Sequence, residues 1–221
     1  MSNIIFTLCD SPATRKIFRE TMNEHHAYMD YKDTCNRRIN WLVAEKKTGN
    51  LIGAVGVNSA ILAMKPRDEV IGWNKDTRLK YLINIANNYR FCLIKENITL
   101  TYAGTQVLRQ LRKIAPIEWE KRYGDKLVLL ETLVKPPWDG AVYKADNWIL
   151  VGKTKGISLS KAPLKLWQKE KGKRGELARK DPQAAIKKYA VGNEYYHIKK
   201  SEPKLIFIKP LCKDWKEFLN D

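Results

Sequence analysis

Residues 130–156, LETLVKPPWDGAVYKADNWILVGKTKG, decide how this chain is read. A strand-like run opens the stretch and passes through the Pro136-Pro137 turn. A short helical piece carrying Tyr143 follows, and then a second strand led by Trp148. Strand, short helix, aromatic and strand again is the layout of a cofactor-cleft edge in several α/β enzymes. Glu131 stands inside the first apolar run. It is either a residue facing solvent or a polar group placed in a cleft, and both readings stay open.

Working outward, Asn3–Leu8 reads as a first strand. Asp10-Ser11-Pro12 supplies a cap and an early proline for a helix over Pro12–Asn23, with Ile17, Phe18 and Met22 at helical spacing. The segment from Glu24 to Arg38, EHHAYMDYKDTCNRR, has no periodicity and reads as a long loop. It holds His25, His26, Tyr28 and Tyr31, and binding loops and merely wet loops both look like this. Adjacent histidines point apart and no third ligand is evident, which argues against a metal. Asn40–Lys46 and Leu51–Asn58 form a hairpin, and Gly53 and Gly56 mark a bulge or a close backbone approach. Asp76–Asn88 places Leu79, Leu82, Ile83 and Ala86 on one helical face, and Tyr89–Ile94 is a strand. Thr99–Lys113 is an amphipathic helix with Val107, Leu108 and Leu111 facing in and Arg109, Arg112 and Lys113 facing out, ended by Pro116. Its start offers free N–H groups to a phosphate, although packing accounts equally for Ala103 and Gly104. Lys126–Val134 and Lys204–Lys209 are strands, and a helical turn around Trp215 and Phe218 closes the chain. The fold class is α/β (α+β), with a mixed, mostly antiparallel sheet of six or seven strands flanked by helices.

The 221 residues suffice for one well-cored domain with a small appendage. Lysine and arginine number 41 against 24 acids, a formal charge of +17, so the chain attracts polyanions at long range. Nucleic acid is the first explanation and an anionic membrane surface the second. A thermophile-like surface is the third, without the matching glutamate such surfaces carry. The densest basic run, residues 161–188, sets ten Lys/Arg against Glu170, Glu176 and Asp181. It reads as an electrostatic arm for nucleic acid through Lys161, Lys165, Lys169, Lys171, Lys173, Arg174, Arg179 and Lys180, with a solvated face as the plain alternative. Cys9, Cys35, Cys92 and Cys212 lie too far apart for a zinc ribbon, and Cys9 and Cys92 sit in apolar runs as reduced core thiols. The start, MSNIIFTLCDS, lacks a signal-peptide layout, and no apolar run approaches the roughly 20 residues of a membrane span. A reduced, cytoplasmic protein without a membrane partner is expected. No G-x-x-x-x-G-K-[ST], G-x-G-x-x-G or G-x-S-x-G is present, which removes the usual signals of nucleotide hydrolases, Rossmann enzymes and serine hydrolases.

The order strand, helix, loop, hairpin, strand, long helix, strand, short helix, strand resembles the acyl-CoA N-acyltransferase (GNAT) fold. Tyr143-Lys-Ala-Asp-Asn-Trp148 has the spacing of that family's Y-x-x-x-G-[FY], where the tyrosine protonates the departing thiolate. In place of its pyrophosphate loop stands KENITLTYAG, Lys95–Gly104. A second resemblance is carried by RDEVIGW, NNYRF, LLETLV, GAVYKADNW, VGKTKG and KLIFIKPL, which are similar, in order, to motifs of the Druantia protein A family. That family is tied to anti-phage defence and mobile elements. Gly140–Gly152 also resembles a segment of the Mom DNA-modification protein of phage Mu. The resemblances imply a GNAT-like core over 1–156, a basic nucleic-acid-binding insertion over 157–203 and a returning strand over 204–221. They imply catalytic roles for Tyr143, Glu131 and His26, and cleft positions for Tyr28, Arg67, Asp68, Trp73, Asn88, Arg90, Asn147 and Thr154. Trp73 reads as a core aromatic ahead of a ligand platform, Arg67–Asp68 equally as a structural ion pair, and Asn147 equally as a helix C-cap. Acetyl-CoA or another acyl-CoA is the cofactor this implies, with DNA and other defence or mobile-element subunits as partners. The function implied is base acylation in the conflict between phage and host, or DNA binding without catalysis.

Overall fold

The computed structural model describes residues 3–26, 37–161, 167–189 and 196–221. Tyr28 and Lys165, both expected at binding surfaces, lie outside the described residues.

One unit comprises residues 1–153 and 205–221. Its chain order is β1 (Ile4–Leu8), α1 (Pro12–His25), β2 (Arg38–Glu45), β3 (Leu51–Ser59), α2 (Lys65–Ile71), α3 (Lys75–Tyr81), β4 (Ile85–Leu93), α4 (Ala103–Tyr123), β5 (Leu129–Val134), α5 (Ala141–Ala145) and β6 (Ile149–Lys153). The strands form one seven-stranded mixed sheet in the order β1-β2-β3-β4-β5-β9-β6, where β9 is Leu205–Pro210 and is followed by α8 (Trp215–Phe218). Every pairing is antiparallel except β4–β5, so the expected mixed, mostly antiparallel sheet flanked by helices is what the chain forms. The parallel pair is short. It matches Ile85, Ala86 and Asn87 to Leu129, Leu130 and Glu131, and beyond those residues β4 and β5 part.

Alternation buries one sheet face under α4. There Trp41, Val55, Ala86, Leu130 and Phe207 pack with Val107, Leu108, Leu111 and Trp119. On α1, Phe18 and Met22 pack with Leu42, Ala54, Cys9 and Cys92, while Ile17, expected beside them, is exposed. Ser11 caps α1 as its sequence predicts, and Thr14 completes a capping box with it. Burial pushes the thiols of Cys9 and Cys92 up to about 12 and about 11, so both stay protonated at neutral pH.

Three expected element boundaries are corrected. The helix over Asp76–Asn88 stops at Tyr81, and β4 begins at Ile85 after a 3-10 turn. Ile85 and Ala86 are drawn into the sheet by their pairing with β5, whereas Leu79 and Ile83, expected inward, are exposed. The next helix starts at Ala103 instead of Thr99, because the Thr99 hydroxyl and amide both turn to the buried carboxylate of Glu45. It also runs through Pro116 to Tyr123. The N–H missing at Pro116 costs one hydrogen bond, yet the fully buried Ala115 and Trp119 on either side hold the helix on the sheet.

A second unit spans residues 154–204. It contains the two-stranded sheet of β7 (Ile157–Lys161) and β8 (Tyr196–Lys200), with α6 (Lys173–Lys180) and α7 (Pro182–Tyr189) between them. Trp167, Ala178 and Ala185 form its small described core.

The β-bulge and its neighbours depend on glycine. A methyl group at Gly53 would lie 2.2 Å from the carbonyl oxygen of Cys92, which is backbone and cannot swing aside. Gly53→Ala is therefore expected to lower unfolding stability by about 2–3 kcal/mol. Urea denaturation checks this, and an unchanged midpoint would contradict the close approach of β3 and β4.

Candidate functional site

The site begins where β4 departs from β3. Gly56 pairs with Arg90 and Val57 with Asn88, so Tyr89 is one residue extra on β4. Gly56 permits this, because a side chain there would collide with the Tyr89 ring and with Asn40, whose carbonyl oxygen accepts from the Tyr89 hydroxyl at 2.8 Å. Asn88 holds the bulge together. Its amide donates to the carbonyls of Gly56 (3.0 Å) and Arg90 (2.9 Å). Its side-chain oxygen accepts from the Tyr143 hydroxyl at 2.9 Å.

Across the split, the Thr132 hydroxyl donates to the backbone oxygen of Asn88 at 2.9 Å. It also lies 3.5 Å from the Tyr143 oxygen. A threonine has one hydroxyl proton, and the shorter bond takes it, so the longer approach is a contact. Tyr143 is thus buried with its own proton directed at Asn88. Its ring is stacked on Phe207 (5.9 Å, 23°), meets Trp148 edge-on at 5.0 Å and lies against Phe91.

Tyr143 is positioned by the turn that follows it. Asn147 has φ +57°, the left-handed conformation that glycine or asparagine accepts most readily. This lets the Trp148 N–H return to the Tyr143 carbonyl at 2.9 Å. Asn147 itself is exposed. Asp146 is buried and is clamped by Arg112 Nε and Nη2, both at 2.8 Å, and by Trp148 Nε1 at 3.0 Å. Arg112 was expected to face solvent. Instead its guanidinium joins α4 to α5, and neither Asp146 nor Thr132 was singled out from sequence.

Glu131 and Arg67 form a separate buried cluster, both fully inaccessible. Glu131 Oε2 accepts from Arg67 Nη1 at 2.7 Å and Oε1 from the Ile61 N–H at 2.7 Å. Arg67 also places Nε and Nη2 on Asp68 Oδ1, and Asp68 reaches Arg78 at 3.2 Å. Trp73 lies 5.4 Å from the Arg67 guanidinium and donates to the Leu219 carbonyl, tying the terminal helix to α2. Burial raises the Glu131 carboxyl, and the N–H groups of Arg67 and Ile61 pull the other way. His26, at the end of α1, has its imidazole lowered by burial first and by the charge of Arg90 second, so it is neutral at pH 7.

Beside α4 runs a cavity of about 760 Å³ lined by Thr101, Tyr102, Thr105, Gln106, Arg109 and Lys113, among others. The N-cap residue Tyr102 is left-handed and makes no side-chain cap bond.

The family model of Druantia protein DruA matches residues 7–165, the greater part of the chain, from Asn88 through Glu131 to Tyr143 and Trp148 but short of Phe207 and Leu219. The chain belongs to the Druantia DruA family.

Comparison with curated proteins finds no match. Among solved structures, this DruA family member is similar to spermidine N-acetyltransferase from Vibrio cholerae in complex with CoA and spermine, at TM-score 0.49 and 10% identity over 95% of this chain and 96% of that one. It is similar to the ribosomal-protein-S18-alanine N-acetyltransferase from Escherichia coli at TM-score 0.46 and 10% identity, with 94% of each chain covered. The match to the DruA family ends before the exposed Lys169, Lys171 and Lys173. Close by, Arg174 pairs with Glu170, Arg179 donates to the carbonyls of Gln168 and Glu170, and Lys180 pairs with Glu176. Thr154 uses its N–H and its hydroxyl to hold Lys204. Lys161 closes β7. No described helix is long and apolar enough to cross a membrane.

Removing one partner of the Glu131–Arg67 pair strands a buried charge. Glu131→Ala is expected to cost about 3–5 kcal/mol, and Glu131→Gln less because an acceptor remains. Guanidinium unfolding of the two variants checks the order, and equal small losses would show that the pair carries little.

Proposed function

We propose that this chain is a GNAT-like acyltransferase acting on nucleic acid in phage–host conflict. The observation that supports it is the split between β4 and β5 with the Tyr143 phenol held at it by Asn88. Tyr143 Oη carries a proton that it gives to Asn88, and turning that O–H to a leaving thiolate would make the phenol its general acid. His26, neutral at pH 7, is the group we assign to take the proton from an acceptor amine. Both oxygens of Glu131 are engaged, so we assign it to positioning Arg67.

The residues present fit an acyl-CoA. The start of α4 has no side-chain cap, and Thr101, Thr105, Arg109 and Lys113 line the cavity beside it, so they would hold the diphosphate. When bound, the cofactor supplies an activated acyl thioester. Gly104 is packed against Val142, which brings α5 and its Tyr143 close to this helix start. Lys169, Lys171 and Lys173 are the side chains we assign to DNA phosphates.

A second reading, a DNA-binding subunit without catalysis, is favoured by one observation: the Glu131 carboxylate has no oxygen to spare for a substrate proton.

Nucleosides from DNA incubated with the protein and acyl-CoA separate the two by mass spectrometry. The enzyme reading expects an added acyl mass that falls about 10²–10³-fold in rate with Tyr143→Phe, with the fold retained. An unmodified profile with the unsubstituted chain, and no acyl-CoA binding by calorimetry, leaves the binding reading. For the arm, replacing Lys169, Lys171 and Lys173 by Gln is expected to reduce the salt slope of DNA binding by about 2–3. An unchanged slope would mean that the charges are a solvated face.

A further inference from the structure

We propose that Arg90 forms the floor of an anion site for a phosphate group of a nucleic acid strand, built into the bulge of β4. Its assignment to nucleic acid rests on the function proposed above, whereas the anion site itself does not.

Arg67, Arg112 and Arg174 each direct the Nε and Nη2 edge of the guanidinium at a carboxylate. Arg90 is buried, at 9% exposure. Yet it makes one hydrogen bond, from Nη1 to the Tyr89 carbonyl at 3.0 Å. Its Nε is buried without a partner, and the same edge is bonded to no described residue. The Tyr89 ring covers the guanidinium at 5.0 Å. A guanidinium cannot shed its proton to escape burial, so an arginine held this way lowers stability unless an oxyanion meets it. Among the described residues none is bonded to it. Among the described residues, a titratable group that feels its charge is His26, a second base.

The backbone explains why Arg90 is held there. The extra residue at Tyr89 sets Arg90 opposite Gly56, and the Asn88 amide grips the Arg90 carbonyl. The fork is therefore fixed before any ligand arrives, and a fixed planar fork matches two oxygens of a phosphate. Arg90 is also two residues from Asn88, the partner of the Tyr143 hydroxyl, so a phosphate bound there would bring its nucleotide to the split.

Thermal unfolding of the full chain in inorganic phosphate, against chloride at matched ionic strength, reads the site. Phosphate at ten times its Kd is expected to raise Tm by about 3–5 °C. Arg90→Met is expected to abolish that shift, and Arg90→Lys, which keeps the charge without the fork, to weaken binding roughly ten-fold. An equal shift in Arg90→Met, or acetate acting as well as phosphate, overturns the proposal. If Arg90→Met does not fold, the His26 ring protons report by NMR: bound phosphate offsets the guanidinium and raises the pH at which His26 titrates, and no change overturns the site. Phosphate that protects through Arg90 but is not displaced by a short single-stranded oligonucleotide keeps the anion site and overturns its assignment to nucleic acid.

Discussion

One carboxamide, that of Asn88, holds the sheet where its regular pairing fails. The bulge at Tyr89 removes a rung between β3 and β4, and the parallel pairing of β4 with β5 lasts three residues. Strand carbonyls left inside a protein need partners. Asn88 bonds two of them with its amide, and Thr132 bonds the carbonyl of Asn88 from across the split. Asn88 then has one acceptor left, and Tyr143 fills it. The phenol is oriented by that acceptor, because the Thr132 proton beside it is already given to the Asn88 carbonyl.

The buried acids extend the same economy of partners. Glu131 and Asp146 are inaccessible or nearly so, and each is met by an arginine from a different element. Such pairs contribute little net stability, since desolvation offsets most of the attraction, but losing one partner is costly. They fix α2 against β5 and α4 against α5. Arg90 departs from this pattern, and the departure lies beside the split. Among the described residues the Arg90 guanidinium meets no carboxylate, and an uncompensated buried charge is a place where a protein can give up stability for binding.

Much of the fold was legible in local pattern. The Ser11 cap, the hairpin of β2 and β3, and the strand at β9 are short-range signals, and they appear where the sequence puts them. Gly53 and Gly56 were read as a bulge or close approach, and each turns out to be one of these. The misplaced boundaries share a cause. Leu79 to Ala86 carries a helical spacing, but pairing with β5 outweighs it from Ile85 onward. Pro116 breaks helices locally, and the burial of Ala115 and Trp119 outweighs that as well.

The sequence by itself determined the family, through motifs in register from RDEVIGW to VGKTKG, and it determined the sheet class and the charge, because these are properties of order and composition. Tyr143 could also be singled out, since its spacing to Trp148 is local, and Asn147 stands in the left-handed position that this spacing requires. Only the tertiary structure decided what each polar residue faces. Glu131 looked free for chemistry until Arg67, 64 residues away, was found against it. Arg112 looked solvent-facing until Asp146 claimed it. Arg90 looked like one cleft residue among several until its bonded edge could be compared with those of the other arginines. Partners so far apart in the chain meet through the sheet's register and its bulge, which no local pattern encodes.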